Sequence, residues 1–265
     1  MLRTAAALLL AATTFAQQAQ AATPTEVRGW AYANYTLATK AGWGFSFMPG
    51  MRYELADSEG DAAGVAMHEL FTGPFWSHKW DKLKLTVPLW YYYMGFPVGE
   101  DYFLSYNIEL IPILRYQLND TVALQSRTIF HNKVYADNPV FTGTDDPWGY
   151  SLLLREMLTV SLSPEPLKGW AITASEEVFM GLVEDQGTNQ IAKGEPFFAK
   201  KGFSMNRVYA GVKKGWKLGG GPSAFVIAPQ YVLETHHDTE DGAALTKVRH
   251  YGFLTLQLVH VVPWS

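Results

Sequence analysis

Residues 103–117 read Phe103-Leu104-Ser105-Tyr106-Asn107-Ile108-Glu109-Leu110-Ile111-Pro112-Ile113-Leu114-Arg115-Tyr116-Gln117, and their pattern decides the fold class. Leu104, Tyr106, Ile108, Leu110, Leu114 and Tyr116 alternate with Ser105, Asn107, Glu109, Arg115 and Gln117. A period of two places the two sets on opposite faces of a β-strand. One face suits an apolar medium and the other is wet. The pattern recurs at 83–93, where Tyr92 joins Lys84 and Thr86 on the polar side. It recurs again at 148–162, with Arg155 among the polar set, and at 247–261, with Arg249. Less regular strands are expected at 43–55, 62–71, 121–134, 170–183, 203–214 and 223–235.

Outward from these segments, the two ends differ in kind. Met1-Leu2-Arg3, an apolar run from Thr4 to Phe15, and Ala19-Gln20-Ala21 together have the form of a secretory signal peptide. This predicts a leader over 1–21 and a single mature domain over 22–265. The apolar run is shorter than the roughly 17–25 residues that a helical anchor needs. The absence of cysteine excludes disulfides, thiol catalysis, thiolate metal sites and lipoprotein attachment. Charged residues make up 17% of the chain, against about 25% in ordinary soluble domains. Aromatics reach 14%, with 9 Trp and 14 Tyr, the residues that collect where protein meets lipid headgroups. A net charge of −4 gives no basis for nucleic-acid binding.

A soluble exported β-sandwich that binds a ligand also alternates. Here, however, the apolar faces are rich in Leu, often bounded by Tyr or Trp, and the strands are long. These features predict an all-β, antiparallel transmembrane β-barrel in the bacterial outer membrane. Its expected partners are outer-membrane lipids and lipopolysaccharide, the barrel-assembly machinery, and small solutes. Short turns at Asn119-Asp120, Pro164-Glu165-Pro166 and Gly219-Gly220-Gly221-Pro222 alternate with longer polar connections at 135–147, 184–202 and 236–245. The long ones are expected outside. Residues 43 onward yield ten strands, and twelve is the alternative if 24–40 is also a strand, because two periplasmic termini require an even number. Otherwise 24–40 forms an N-terminal helix, for which Thr23-Pro24-Thr25-Glu26 supplies a capping box. The last strand ends Val262-Pro263-Trp264-Ser265, with its aromatic residue penultimate rather than final.

Two motifs in the C-terminal half carry a resemblance. Glu177-Val178-Phe179 is followed by a variable stretch, then Asn206-Arg207-Val208-Tyr209-Ala210-Gly211, then Gln230-Tyr231-Val232-Leu233-Glu234. This resembles an uncharacterised family of small Gram-negative outer-membrane β-barrels, with its Glu-x-Phe and Asn-Arg-x-Tyr-x-Gly motifs. The resemblance implies a barrel and no particular activity. It leaves Glu176 on the outer side if Glu177 points in.

The functional reading rests on inward charge. Glu109, Arg115, Arg127, Arg155, Glu177, Arg207 and Arg249 are expected to line the lumen as a charge network, with Arg52 and Glu54 beside them. Glu177 and Arg207 are expected to pair across neighbouring strands. Such a lining serves either as a selectivity filter for anionic solutes or as a plug of salt bridges in a porin-like but narrow barrel. A cell-surface hydrolase, a protease or a lipid-acting enzyme, is the alternative. Its candidate groups are Asp145-Asp146, His237-Asp238 and His131-Asn132, and His236-His237-Asp238 is the corresponding metal candidate. Neighbours on a strand point to opposite faces, and no serine is marked as a nucleophile. No catalytic residue, metal ligand or cofactor is assigned.

Overall fold

The computed structural model describes residues 25–56, 64–98, 101–136, 148–185, 201–219, 222–240 and 243–264. The expected leader and Asp145-Asp146 lie outside these residues. The strands are β1 Thr25–Thr39, β2 Trp43–Ala56, β3 Gly64–Trp80, β4 Leu83–Val98, β5 Asp101–Leu110 and β6 Ile113–Gln117. They continue with β7 Val122–Ala136, β8 Trp148–Leu162, β9 Trp170–Asp185, β10 Gly202–Leu218, β11 Ser223–Glu240 and β12 Ala243–Trp264. One turn of 3-10 helix, Glu165–Leu167, joins β8 to β9.

Every segment expected from alternation is a strand. β5 and β6 are two halves of one wall position, since both pair with β4 on one side and β7 on the other. They separate at Pro112, which has no N–H to give the ladder. The Pro112 carbonyl still accepts from Thr128 N at 3.0 Å, so the wall stays continuous.

The sheet closes on itself through β1 and β12, and so forms a barrel of eleven wall positions. Closure removes the sandwich alternative and leaves no free sheet edge. It also corrects the ten-strand expectation, the even-number rule and the purely antiparallel topology. β1 runs parallel to β12, in register from Thr25↔His250 to Thr39↔Trp264. The other neighbours are antiparallel. In an up-and-down ring with an odd number of positions, the first and last strands must run the same way. No missing twelfth wall position is needed.

The helix expected over 24–40 is instead strand β1. Its own residues favour this outcome: Gly29 weakens a helix, while Trp30, Tyr32, Tyr35 and Thr36 favour a strand. Trp30 and Tyr32 turn inward, while Tyr35 and Leu37 are exposed outside. The connection expected over 236–245 is also mostly strand, belonging to β11 and β12.

Short turns gather at one rim, between β1 and β2, β3 and β4, β6 and β7, β8 and β9, and β10 and β11. At 118–121 the Asn119 side-chain oxygen accepts from Thr121 N and Val122 N, both at 2.9 Å, which fixes the turn. Gly42 has φ 90°, and its carbonyl accepts from Ser77 N at 2.8 Å. A Cβ there would lie 2.1 Å from the Ser77 carbonyl oxygen, so only glycine allows this turn to dock.

The wall is polar inside and apolar outside. Asn107 and Glu109 are buried, while their neighbours Ile108 and Leu110 are exposed at 59% and 41%. Leu158 is exposed at 61% beside half-buried Met157. Trp43, Trp80, Tyr116 and Trp216 are exposed near the turn rim. Lys214 Nζ lies 5.4 and 5.3 Å from the rings of Trp170 and Trp216.

The chain's lack of cysteine allows a direct test of the parallel seam. Cysteine pairs at Ala31/Leu256 and Leu37/Val262 should each oxidise to a cross-link, because both are register partners. Reducing and non-reducing gels read the result. An antiparallel seam would let at most one of the two pairs close.

Candidate functional site: the buried charges of the lumen

Alternation puts Glu177 and Phe179 of β9 on one face, and that face points inward. Both are almost wholly buried. Glu177 Oε1 accepts from Arg127 Nη2 at 3.0 Å and from Arg155 Nη2 at 2.9 Å. Its Oε2 accepts from Tyr209 Oη at 2.8 Å. The guanidinium groups of Arg155 and Arg207 lie 4.8 and 4.9 Å from the centre of the Phe179 ring. Cations so placed are drawn to the negative face of an aromatic ring.

Arg207 extends the arrangement to the next strand. Its Nε donates to Glu234 Oε2, which also accepts from Tyr251 Oη at 2.6 Å. His236 Nε2 meets the other Glu234 oxygen. The expected pair of Glu177 and Arg207 therefore widens into a network: the two are register partners, and Arg207 also bonds Glu234 on its far side. Arg127, Met157, Glu177, Arg207, Glu234 and Arg249 form one unbroken row of register partners across β7 to β12.

Glu69 of β3 has the same kind of shell. Arg52 contacts both its oxygens, with Nη2 to Oε2 at 2.7 Å. Tyr92 Oη donates to Oε2 at 2.7 Å and Tyr32 Oη to Oε1 at 3.1 Å. The Arg52 guanidinium also lies 4.1 Å from the Trp30 ring. Each of these three acids thus has an arginine and at least one tyrosine hydroxyl, so charge and lone pairs are satisfied together.

The residues singled out from sequence are distributed as follows. Arg127, Arg155, Glu177 and Arg207 come together. Arg249 is the half-buried register partner of Glu234. Glu109 lies elsewhere in the lumen, buried against His131 Nδ1. Arg115 is exposed near the turn rim, beside Lys84 and Gln125. Arg52 belongs to the Glu69 cluster, and Glu54 is the register partner of Arg28.

Sequence reasoning missed Glu69 and Glu234 as network members and did not foresee the tyrosine donors. Strand parity carried a usable signal. Glu234 is an even step from Val232, and Tyr92 already stood on the polar side of its strand.

The motifs gain a physical account. Glu-x-Phe supplies an acid and the ring beneath its arginines. Asn-Arg-x-Tyr-x-Gly supplies Arg207 for Glu234, Tyr209 for Glu177, and a close approach at Gly211. A Cβ on Gly211 would lie 2.4 Å from the Pro229 carbonyl oxygen. Glu176 does lie exposed on the outer face, between register partners Leu158 and Val208. Glu156 also avoids this cluster, accepting from Ser126 Oγ at 2.6 Å and Thr128 Oγ1 at 2.5 Å.

Among the described residues the hydrolase candidates do not assemble. His131 is buried inside, while Asn132 donates to the Ile108 carbonyl at 3.0 Å. His236 joins Glu234, whereas His237 is exposed, with its ring 4.9 Å from that of Phe203. Among the described residues no group of three His, Cys, Asp or Glu side chains is placed to hold a metal ion. Comparison with protein-family models, curated proteins and solved structures gives no match to this chain.

Removing one partner of a buried ion pair costs about 3–5 kcal/mol, because the other charge is left uncompensated. Arg207→Ala and Glu234→Ala should each destabilise the folded barrel in urea titrations. The double variant should be more stable than the two losses added together predict, with a coupling of about 0.5–3 kcal/mol. Additive losses would mean that the pair does not act as a unit.

Proposed function

We propose that this chain is an outer-membrane β-barrel whose lumen is held closed at mid-height by its buried ion pairs, with a structural role or that of a narrow channel. The observation that carries this reading is the inverted distribution of side chains. Glu69, Glu177, Glu234 and Arg207 are buried inside, while Leu89, Ile108, Leu158 and Tyr231 are exposed outside. Water outside such a wall would meet far more apolar surface than soluble monomers expose. Lipid outside removes the conflict and gives the closed ring its reason, since an open sheet edge is intolerable in hydrocarbon. The aromatic residues near the turn rim then form an interfacial girdle. The resemblance to small Gram-negative barrels is part of the same proposal, as is export by the leader over 1–21.

Glu176 is a costly residue of this arrangement, and unlike its outer-face neighbour Glu156 it has no hydroxyl donors beside it among the described residues. An acid on the lipid face is unfavourable, though less so than Lys or Arg. Glu176→Leu should therefore stabilise the barrel in lipid vesicles, by about 1 kcal/mol or more. In water-soluble surroundings the same change adds exposed apolar surface and gains nothing.

Placement is tested by fractionation and by gel migration with and without boiling. The protein should remain with outer membranes after detergent-free extraction, and its folded form should migrate differently from the boiled form. Release with the periplasmic fraction overturns the placement.

Closure is tested in planar bilayers. The native chain should pass little current, and Arg127→Ala with Arg155→Ala and Glu177→Ala should raise conductance severalfold. A large steady current through the native chain would replace the plug with a pore.

A further inference from the structure

Three cations stand in a row at the turn-rim mouth of the lumen. Lys79 of β3 is the register partner of Lys84 of β4, and Lys84 is the register partner of Arg115 of β6. Side chains so paired start about 4.5–5.5 Å apart at their Cβ atoms, and like charges directly opposite are destabilising. Strand parity turns Arg115 to the same side as buried Glu109, and all three cations line one basin of about 620 Å³. The rest of its charged lining, Lys82 and the two acids Asp81 and Asp120, sits in the turns. Among the described residues, no ion pair joins either acid to the three cations.

A further cation stands on the opposite wall. Lys213 of β10 shares the inward parity of Arg207 and Tyr209, and its positive charge and that of Arg115 act on each other. β6 and β10 are separated around the wall by β7, β8 and β9. The two charges therefore act on each other through the interior.

The contrast with the middle of the barrel gives this row its meaning. There, Glu69, Glu177 and Glu234 are each matched by an arginine, and Glu109 faces His131. At the mouth, Lys79, Lys84 and Arg115 stand side by side, and the basin's two acids, Asp81 and Asp120, pair with none of them, which leaves their mutual repulsion as a cost. A bound oxyanion offsets that cost. Arg115 offers a planar fork suited to phosphate or carboxylate, while Lys79 and Lys84 act as point charges beside it. The basin has the size of a small-molecule pocket and is open to water.

We propose that the turn-rim basin is a binding site for a small multiply charged oxyanion, a phosphorylated or polycarboxylate solute, held by Lys79, Lys84 and Arg115. The proposal rests on the closed barrel and not on its membrane placement or its conductance.

The test uses the mature barrel folded in non-ionic detergent, with inorganic pyrophosphate as the probe. Calorimetry should show saturable binding near one per barrel, weakening as sodium chloride rises. Lys84→Gln with Arg115→Gln should weaken it at least tenfold. Without pyrophosphate that double variant should melt at a higher temperature than the native chain, because like-charge repulsion is relieved. Pyrophosphate should raise the melting temperature of the native chain alone. A merely structural role for the two residues predicts the opposite order of basal stability.

No saturable heat from a native barrel that shows the folded gel form overturns the proposal. So does unchanged binding in the double variant. Lys214→Gln, on the outer face between Trp170 and Trp216, should bind as the native chain does. Loss of binding there would move the anion to an outer, headgroup-like position and end the proposal. Pyrophosphate binding by a protein that fractionates with the periplasm would sink the placement and leave this site standing.

Discussion

A carboxylate turned into so narrow a ring has no bulk water beside it, so its counter-charge must come from a neighbouring strand. Most of the architecture follows from this constraint. Glu177 lies between Met157 and Arg207, and Glu234 between Arg207 and Arg249, only in the observed register. Slipping one strand by a single residue would turn Glu177 outward and strand Arg127 and Arg155 inside. The ion pairs therefore specify register more than they add stability, since an apolar core of the same shape is often as stable as a buried pair.

The tyrosines solve a second problem. A carboxylate has more lone pairs than one arginine can fill, and each further cation would bring another charge to bury. Tyr32, Tyr92, Tyr209 and Tyr251 donate hydroxyl bonds without adding charge. Where arginines do exceed acids, around Phe179, an aromatic face lies close to two of them. Neutral donors and ring faces let the polar interior remain dense without a further charge for each further bond.

This division explains what could be read from the chain alone. Alternation located the strands at 43 and beyond, because a side chain's face depends only on its own strand. The seam could not be found that way. Whether β1 runs with or against β12 depends on the number of wall positions, and an assumed even number hid an eleventh. The Glu177 and Arg207 motifs pointed to inward charge, yet their partners lie up to fifty residues away in the case of Arg127. Tyr209 and Tyr251 were obscured for another reason. Tyrosine belongs equally to a lipid girdle and to a polar lumen, and only parity against a fixed neighbour separates the two.

The lumen has two electrostatic characters, and both arise from the same alternation. At mid-height, inward positions on neighbouring strands carry opposite charges that bond one another. At the turn rim, inward positions on β3, β4 and β6 carry the same charge, and the wall stays open as a basin. A barrel needing only a rigid wall could place Ser, Thr or Gln at those positions, as it does along the same row at Gln125, Thr159 and Ser175. Along that row lysine and arginine stand on β3, β4 and β6, the strands that line the basin. Repulsion concentrated there, beside a row that shows how easily it could be avoided, marks the mouth as the part of this barrel shaped for something other than folding.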